Sequence, residues 1–453
     1  MKVRVYTLGC RLNQTEGEAI AQAFAAEGCD VVQDDMSADL YVVNTCTVTS
    51  KAEQKARRMI RKYASEPHAP VVVVTGCYAQ MDGTDIAALA ARIVVFPLDK
   101  KAALLALPRF MTPRIHSGDS PLDICREFAE LVPAQLAALH AKSGGEGKEP
   151  SVFDYAPDTF LHNQRAYLKV QDGCDNACAF CRVHVARGKA VDLNADEVVR
   201  RVMHLERQGF HEVVLTGVNL TMYGYKGEGL GALVEKILEH IGSDMRIRLS
   251  SLEPDHVDGR LLDTLHDPRM QPYFHIPVQS ANQKVLYRIN RHYSVEHLAW
   301  VIDRLRDIKD DPCIAADIIA GLPAEYDAEF QETYDFLKNK GFARLHVFPF
   351  SPRPDTPLYQ ARDRVPESVR DERAARLREL SACLLKEYSA RQEGREAEVI
   401  LEQKKDGWWN GLTGNYLRAR VEGSPQDARP GDLFKVVIGK TADNGSCIVR
   451  VLV

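Results

Sequence analysis

Three cysteines in Gly173-Cys174-Asp175-Asn176-Ala177-Cys178-Ala179-Phe180-Cys181 stand at a C-x3-C-x2-C spacing, directly after an apolar strand pattern. Soft thiolates suit iron–sulfur centres, and three of them hold three corners of a cubane cluster. The fourth iron is then open to bind a substrate. A structural zinc normally takes four closed ligands from paired short spacings, and no second such pair lies nearby. Zinc and chance clustering are the competing readings. His184, the histidine nearest these cysteines, reads as a packed loop residue, because three thiolates already complete the protein's share.

A second set is less obvious. Cys10, Cys46 and Cys77 lie far apart in the chain, and a lone cysteine is usually a small buried hydrophobe. Each of the three, however, falls just after a strand candidate (residues 3–7, 40–44 and 71–75). In a parallel α/β sheet, ligands gather at the carboxyl ends of the strands. Three thiolates from adjacent loops again make a three-ligand site with one open iron. The chain holds eleven cysteines, an odd number. The N-terminus lacks a signal-peptide layout and no stretch reaches membrane-span length, so the expectation is a cytoplasmic protein with no membrane partner. In that compartment thiols stay reduced, which favours metal or catalytic roles over disulfides. Cys29, Cys125, Cys313, Cys383 and Cys447 have no reading beyond packing.

The elements that must position these residues follow from the hydrophobic pattern. At 453 residues, 45% hydrophobic and 27% charged, the chain is an ordinary globular protein of two or three domains. Strand candidates alternate with helical patterns at 16–27 and 51–63, which predicts a parallel α/β domain over 1–110. Residues 111–160 read as a linker, with one helix over 124–141 and a flexible polar stretch at 143–148. A longer alternation then places strands at 166–170, 212–216, 246–250, 273–277, 314–319 and 344–348. Helices are expected at 195–207, 230–241, 295–308 and 325–339. Six βα units over 161–390 predict an incomplete (β/α)6 barrel. A charged helix at 367–391 leads into residues 391–453, whose short strands at 398–401, 416–421, 433–438 and 447–452 predict a small antiparallel β-barrel. The fold class is α/β throughout the first two domains.

The central cysteine motif resembles that of the radical S-adenosylmethionine superfamily. The flanking boxes narrow the likeness. Thr7-Leu8-Gly9-Cys10-Arg11-Leu12-Asn13, Asn44-Thr45-Cys46-Thr47-Val48-Thr49 and Thr75-Gly76-Cys77-Tyr78-Ala79-Gln80 are similar to three boxes of the methylthiotransferases. So are Leu215-Thr216-Gly217-Val218-Asn219-Leu220, Arg248-Leu249-Ser250-Ser251-Leu252-Glu253-Pro254, His275-Ile276-Pro277-Val278-Gln279-Ser280 and Ser351-Pro352-Arg353. The resemblance covers nearly the whole chain. It implies two [4Fe–4S] clusters, one on Cys10, Cys46 and Cys77 that carries or relays sulfur, and one on Cys174, Cys178 and Cys181 that binds S-adenosylmethionine and makes a radical. It further implies that Gly217, Asn219, Ser250, Ser251, Glu253, Gln279 and Asp317 line the cofactor site; capping of barrel loops is the plainer reading of these polar strand ends.

Family members methylthiolate isopentenyladenosine in tRNA, threonylcarbamoyladenosine in tRNA, or an aspartate of a small ribosomal protein. The box around Cys10 and the box Ile-Arg-Leu-Ser-Ser-Leu-Glu-Pro most resemble the threonylcarbamoyladenosine branch. The implied partners are the anticodon stem-loop of tRNA, a sulfur source and an electron donor such as a flavodoxin or ferredoxin. The chain departs from the family pattern near 96–99, at Asp355, and at Arg182-Val183-His184-Val185, where Ile-Ile-Pro-Tyr is common.

A net charge of −5 argues against a wholly basic nucleic-acid coat but leaves room for basic patches. One candidate is the run Lys55-Ala56-Arg57-Arg58-Met59-Ile60-Arg61-Lys62, which otherwise reads as a solvated helix face. Another is the final barrel, with Trp408, Trp409 and Tyr416-Leu417-Arg418. Aromatics beside arginines stack on bases and pair with phosphates, although either tryptophan equally suits the barrel's own core. A non-catalytic iron–sulfur protein that binds RNA is the reading from another class. The three-cysteine sites oppose it, since a structural cluster would close its fourth position.

Overall fold

The computed structural model describes residues 1–32, 36–131, 133–142, 151–157, 164–224, 227–442 and 444–452. They form two compact units, one of Met1–Leu161 with Asp172–Asp175 and Cys181–Lys189, the other of His162–Gln171 with Asn176–Phe180 and Ala190–Val453.

The first unit is built on a five-stranded parallel sheet. Its strands are β1 (Lys2–Thr7), β2 (Asp30–Val31), β3 (Leu40–Thr45), β4 (Val71–Gly76) and β5 (Ile93–Phe96), in the order β2-β1-β3-β4-β5. The central strands LYVVNT and VVVVTG are buried at every position, as continuous apolar strands covered on both faces must be. One face packs Val3, Val42 and Val73 against Ile20 and Phe24; the other packs Val43, Val72 and Val74 against Ile60 and Tyr63.

Where the expected linker over 111–160 is described, much of it is helical. Three helices, Leu107–His116, Pro121–Glu130 and Pro133–Lys142, send Leu107, Met111, Ile124, Phe128 and Leu136 into the first core. The prolines suggested a broken connection, but Pro121 and Pro133 open helices, where a missing N–H costs nothing and a fixed φ helps. The flexible stretch expected at 143–148 lies outside the described residues.

The second unit contains the six expected parallel strands: β6 (Ala166–Lys169), β7 (Glu212–Thr216), β8 (Arg246–Leu249), β9 (Tyr273–Gln279), β10 (Cys313–Ala320) and β11 (Arg344–Pro349). They pair as β8-β7-β6 and β9-β10-β11. Backbone bonds from Gln271 N to Ile247 O (2.9 Å) and from Leu252 N to His275 O (2.8 Å) join the two groups, giving an open row of six.

The helix Glu367–Arg391 leads to a closed barrel of five strands: β12 (Glu396–Lys405), β13 (Trp408–Thr413), β14 (Arg418–Glu422), β15 (Leu433–Thr441) and β16 (Cys447–Val451). Four strands were expected here; the missing one is β13, which follows a turn with Asp406 at φ 52° and Gly407 at φ 82°. Asp-Gly is a strong hairpin signal. The barrel is not wholly antiparallel either, since β14 and β16 run parallel. Five strands cannot alternate all the way round a closed ring, so one neighbouring pair must be parallel.

This barrel is fastened to the amino ends of the parallel strands. Arg248, 3% exposed, pairs with both carboxylate oxygens of Glu212 (2.7 and 3.0 Å) and donates to Gly414 O at 2.9 Å. Its guanidinium lies 5.4 Å from the ring of Tyr273 and 5.1 Å from that of Tyr416, and those two rings stack at 4.3 Å.

Candidate active site

In the first unit, β1, β3 and β4 end side by side and deliver the three predicted cysteines. Cys10 is the N-cap of helix Arg11–Ala26, Cys46 follows β3, and Cys77 is the first residue of helix Cys77–Ala87. The turns leave no room for side chains. A Cβ on Gly9, at φ 100°, would lie 2.7 Å from Cys46 Sγ, and one on Gly76, at φ 97°, would lie 2.3 Å from Thr45 O.

The box residues beside the cysteines lace these loops together. Asn13 Nδ2 donates to Leu8 O (2.9 Å) and Thr45 O (3.0 Å), and Asn44 Nδ2 donates to Asn13 O (2.8 Å). Thr45 Oγ1 donates to Thr75 O at 2.6 Å and accepts from Ala79 N at 3.2 Å. Each thiol is consequently within electrostatic reach of the others. Burial, reinforced by Cys10 and then Cys77, pushes the Cys46 thiol up to about 12.

Sequence reasoning missed the cation at the centre of this site. Arg187 is buried and donates from Nε to Cys77 Sγ at 3.3 Å. Its Nη1 reaches Asp172 Oδ1 (2.9 Å) and Glu16 Oε1 (3.2 Å), and its Nη2 reaches Asn13 Oδ1 (2.9 Å). Lys101, 2% exposed, pairs with Glu16 and donates to Asn44 Oδ1 at 3.0 Å. Burial lowers the Lys101 pKa, and the Glu16 carboxylate opposes that shift. Two buried cations and two buried carboxylates therefore surround three thiols. An arginine six residues past a cysteine, at the end of the short helix Val183–Arg187, carries no periodic signal, which is why it went unread.

Arg182, the first residue of the departure from Ile-Ile-Pro-Tyr, is also buried. Its Nη1 bonds Asp82 Oδ2 at 2.8 Å and Glu53 Oε1 at 3.0 Å. At the departure at 355, Asp355 has φ 64°, a left-handed conformation that Asp tolerates better than most side chains.

In the central loop, Cys174 and Cys181 belong to the first unit and Cys178 to the second. Cys174 N donates to Gly188 O at 3.1 Å, and Cys181 Sγ accepts from Val183 N at 3.4 Å. Cys178 is 7% exposed and accepts from Arg291 Nη1 at 3.3 Å. Arg291 also pairs with Glu253 and donates to Pro277 O at 2.7 Å. Burial raises the Cys178 pKa against the pull of Arg291, and raises that of Glu253 against the same arginine. The residues between the cysteines are pinned by Ala179 N to Ile289 O (2.9 Å) and Asn290 Nδ2 to Ala177 O (3.1 Å).

Most of the expected cofactor residues cluster at the carboxyl ends of β7 and β8. Gln171 Oε1 accepts from Asn219 N at 2.9 Å and stands 2.8 Å from where a Gly217 Cβ would be. Thr221 Oγ1 bonds Asn219 Oδ1 at 3.0 Å and Glu253 N at 3.1 Å. Ser250 N closes on Leu215 O at 3.0 Å, while Ser250 Oγ is buried without a hydrogen-bond partner among the described residues. Ser251 follows it, half-buried. Gln279 sits at the irregularity between β9 and β10 with φ 60°, a cost that functional loops tolerate. Asp317, on β10, is within electrostatic reach of Glu253 and lies 3.0 Å from His275 Nε2.

These residues fit the groups the motifs imply. An orphaned buried hydroxyl among loop-end polar groups suits a polar cofactor, and arginines aimed at cysteine sulfurs offset the negative charge of thiolate-bound iron. Among the described residues, no three His, Cys, Asp or Glu side chains stand close enough to hold a single metal ion. The cysteines of a cubane each bind a separate iron.

The nucleic-acid candidates separate in the structure. Trp409 and Tyr416 pack with the barrel core, whereas Trp408 is 37% exposed with the Arg420 guanidinium 3.9 Å over its ring. In helix Ser50–Ala64, Ala56, Ile60 and Tyr63 face the core and Lys55, Arg58, Arg61 and Lys62 face solvent.

Comparison with known proteins agrees with this geometry. Residues 2–96 match the family model described as uncharacterized protein family UPF0004, and residues 168–337 match the radical SAM superfamily. The threonylcarbamoyladenosine tRNA methylthiotransferase MtaB of Treponema pallidum is 37% identical, over 92% of this chain and 93% of that one. The protein of the same name from Bacillus subtilis is 33% identical, over 97% of this chain and 94% of that one. Among solved structures, the radical S-adenosylmethionine methyltransferase TsrM from Kitasatospora setae, with cobalamin and a [4Fe–4S] cluster bound, shares the fold. It aligns with a TM-score of 0.53 and 14% identity over 79% of this chain and 77% of that one. With full-length relatives above 30% identity, the chain belongs to the threonylcarbamoyladenosine tRNA methylthiotransferase family of radical SAM enzymes.

Proposed function

We propose that the protein methylthiolates C2 of N6-threonylcarbamoyladenosine beside the anticodon of tRNA, giving 2-methylthio-N6-threonylcarbamoyladenosine. The observation that carries this reading is the pairing, in one chain of this family, of two three-cysteine sites, each with a buried arginine donating to a cysteine sulfur. The cofactors are two [4Fe–4S] clusters and S-adenosylmethionine.

Cys10, Cys46 and Cys77 are the proposed ligands of one cluster, and Cys174, Cys178 and Cys181 those of the other. Gly217, Asn219, Ser250, Ser251, Glu253, Gln279 and Asp317 are the proposed contacts of S-adenosylmethionine. When bound, cluster and cofactor supply one-electron chemistry for a carbon–hydrogen bond that has no acidic proton. The chain's own contribution is positioning and charge. Arg291 holds Cys178 and Glu253 in one arrangement, so that the sulfur and the polar loop ends keep a fixed separation. Arg187 offsets the charge of Glu16 and Asp172 and donates a hydrogen bond to the sulfur of Cys77.

The protein acts in the cytoplasm, with tRNA as substrate and with a sulfur source and an electron donor of the flavodoxin or ferredoxin type as partners. Among the described residues, no helix is long and apolar enough to cross a membrane.

The test is anaerobic incubation of the reconstituted protein with reductant, S-adenosylmethionine and threonylcarbamoyl-containing tRNA, followed by mass analysis of the digested nucleosides. A methylthio product that disappears with Cys10→Ala and with Cys174→Ala is expected. Formation of 5′-deoxyadenosine without any methylthio nucleoside would overturn the substrate. Formation of neither, with clusters intact, would overturn the enzyme.

A further inference from the structure

Three adjacent parallel strands of the second unit carry two histidines, His275 and His346, around Asp317, one of the proposed cofactor contacts. His275 on β9 places Nε2 3.0 Å from Asp317 Oδ1 on β10, and its Nδ1 lies 3.2 Å from the hydroxyl of Tyr273. Both of its ring nitrogens are therefore engaged, and the ring is held in one orientation. His346 on β11 is in register with Asp317, and its ring centre lies 5.3 Å from that of His275. Among the described residues His346 has this ring contact and no hydrogen bond. Burial, then the neighbouring His275, keeps the His346 pKa below its usual value, so the imidazole is neutral near pH 7 with one donor and one acceptor to offer.

The surroundings give this wall a direction. Leu345, one residue before His346, is buried, and Ser381 Oγ of helix Glu367–Arg391 bonds its backbone N (2.9 Å) and O (3.0 Å). Side chains alternate along a strand, so His346 lies on the face opposite Leu345. Phe348, two residues on and hence on the face of His346, is 39% exposed at the carboxyl end of β11. Carboxyl ends of parallel strands are where ligands gather. A flat aromatic ring beside an unengaged imidazole matches a purine that bears a polar substituent.

We propose that His346, with His275 locked behind it by Asp317 and Tyr273, is the subsite that recognises the polar N6 extension of the substrate adenine. The proposal rests on the function argued above and names its specificity determinant. Urea N–H, carbonyl and hydroxyl groups of a threonylcarbamoyl extension satisfy the imidazole. A hydrocarbon extension buries it unsatisfied, and a buried polar group without a partner is what lets a site reject an apolar analogue.

The experiment uses the full-length, cluster-loaded enzyme with anticodon stem-loops carrying threonylcarbamoyladenosine or isopentenyladenosine. Methylthiolation kcat/KM and stem-loop affinity by fluorescence anisotropy are measured for the wild type, His346→Leu and His346→Gln. For His346→Leu, kcat/KM and affinity for the threonylcarbamoyl stem-loop should fall roughly ten- to hundred-fold. Affinity for the isopentenyl stem-loop should hold or rise, and His346→Gln should recover most of the loss. Equal losses on both stem-loops, or no loss on either, would overturn the subsite. If His346→Leu does not load iron or melts early, the comparison is carried by His346→Gln against His346→Asn, which differ in reach alone; equal affinity of that pair for the threonylcarbamoyl stem-loop overturns it as well. A wild-type enzyme that makes no methylthio product from the threonylcarbamoyl stem-loop defeats the function itself, an outcome distinct from a functioning wild type with unaffected variants.

Discussion

The two cysteine sites solve one electrostatic problem with different architecture. Each aims a buried arginine at a sulfur from 3.3 Å, Arg187 at Cys77 and Arg291 at Cys178. Arg187, however, is balanced by Glu16 and Asp172, with Lys101 also on Glu16, whereas Arg291 is balanced by Glu253. The amino-terminal cysteines come from three strand ends separated by whole βα units; the central three fit in one short loop. Left-handed backbone occurs at both: Gly9 and Gly76 take it at the amino-terminal site, and Gly173 and Ala177 take it in the central loop. A site assembled from distant segments depends on global packing, while a site within one loop depends chiefly on local geometry.

The sharpest way to break the comparison is Arg187→Met. It leaves Glu16 and Asp172 buried with one cation between them, and removing one partner of a buried ion pair costs about 3–5 kcal/mol. Thermal unfolding should show the first unit melting early, and iron analysis should fall to about that of one cluster. Iron retained at both sites would mean that the arginine is dispensable for loading.

Arg291→Met strands one buried carboxylate, Glu253, where Arg187→Met strands two, so the loss should sit near the lower end of the same range, about 3 kcal/mol. Here the amino-terminal iron should persist while reductive cleavage of S-adenosylmethionine collapses, measured as 5′-deoxyadenosine. Gly9→Ala forces a side chain to φ 100° and against Cys46. Backbone strain of this kind costs on the order of 1–3 kcal/mol, and the amino-terminal cluster alone should load poorly, which site-resolved Mössbauer spectra would display. The smallest effect is expected for Ala177→Gly. At φ 47° an alanine is mildly strained, so glycine should change stability by no more than about 1 kcal/mol and leave the central cluster intact. A large loss there would show that the loop depends on the alanine methyl.

How much of this was legible follows the same division. The C-x3-C-x2-C loop was readable because its ligands are neighbours in sequence, and the three strand-end cysteines were readable because apolar runs such as VVVVTG announce buried parallel strands. The helix 367–391 was found by its pattern. The helices opened by Pro121 and Pro133 were misread as a linker because proline marks both a break and a beginning, and burial decides which. The strand Trp408–Thr413 was passed over for its tryptophans although Asp-Gly stands before it.

The sequence by itself determined the metal chemistry, the order of the elements and which cysteines end which strands, since these depend on residue type and local periodicity. Tertiary structure decided that Arg187 and Arg291 reach the sulfurs, that Arg248 rivets the last barrel to the parallel strands, and that His346 stands beside His275. Buried charges are stable only among partners brought from other segments, and no local pattern encodes which segments those will be.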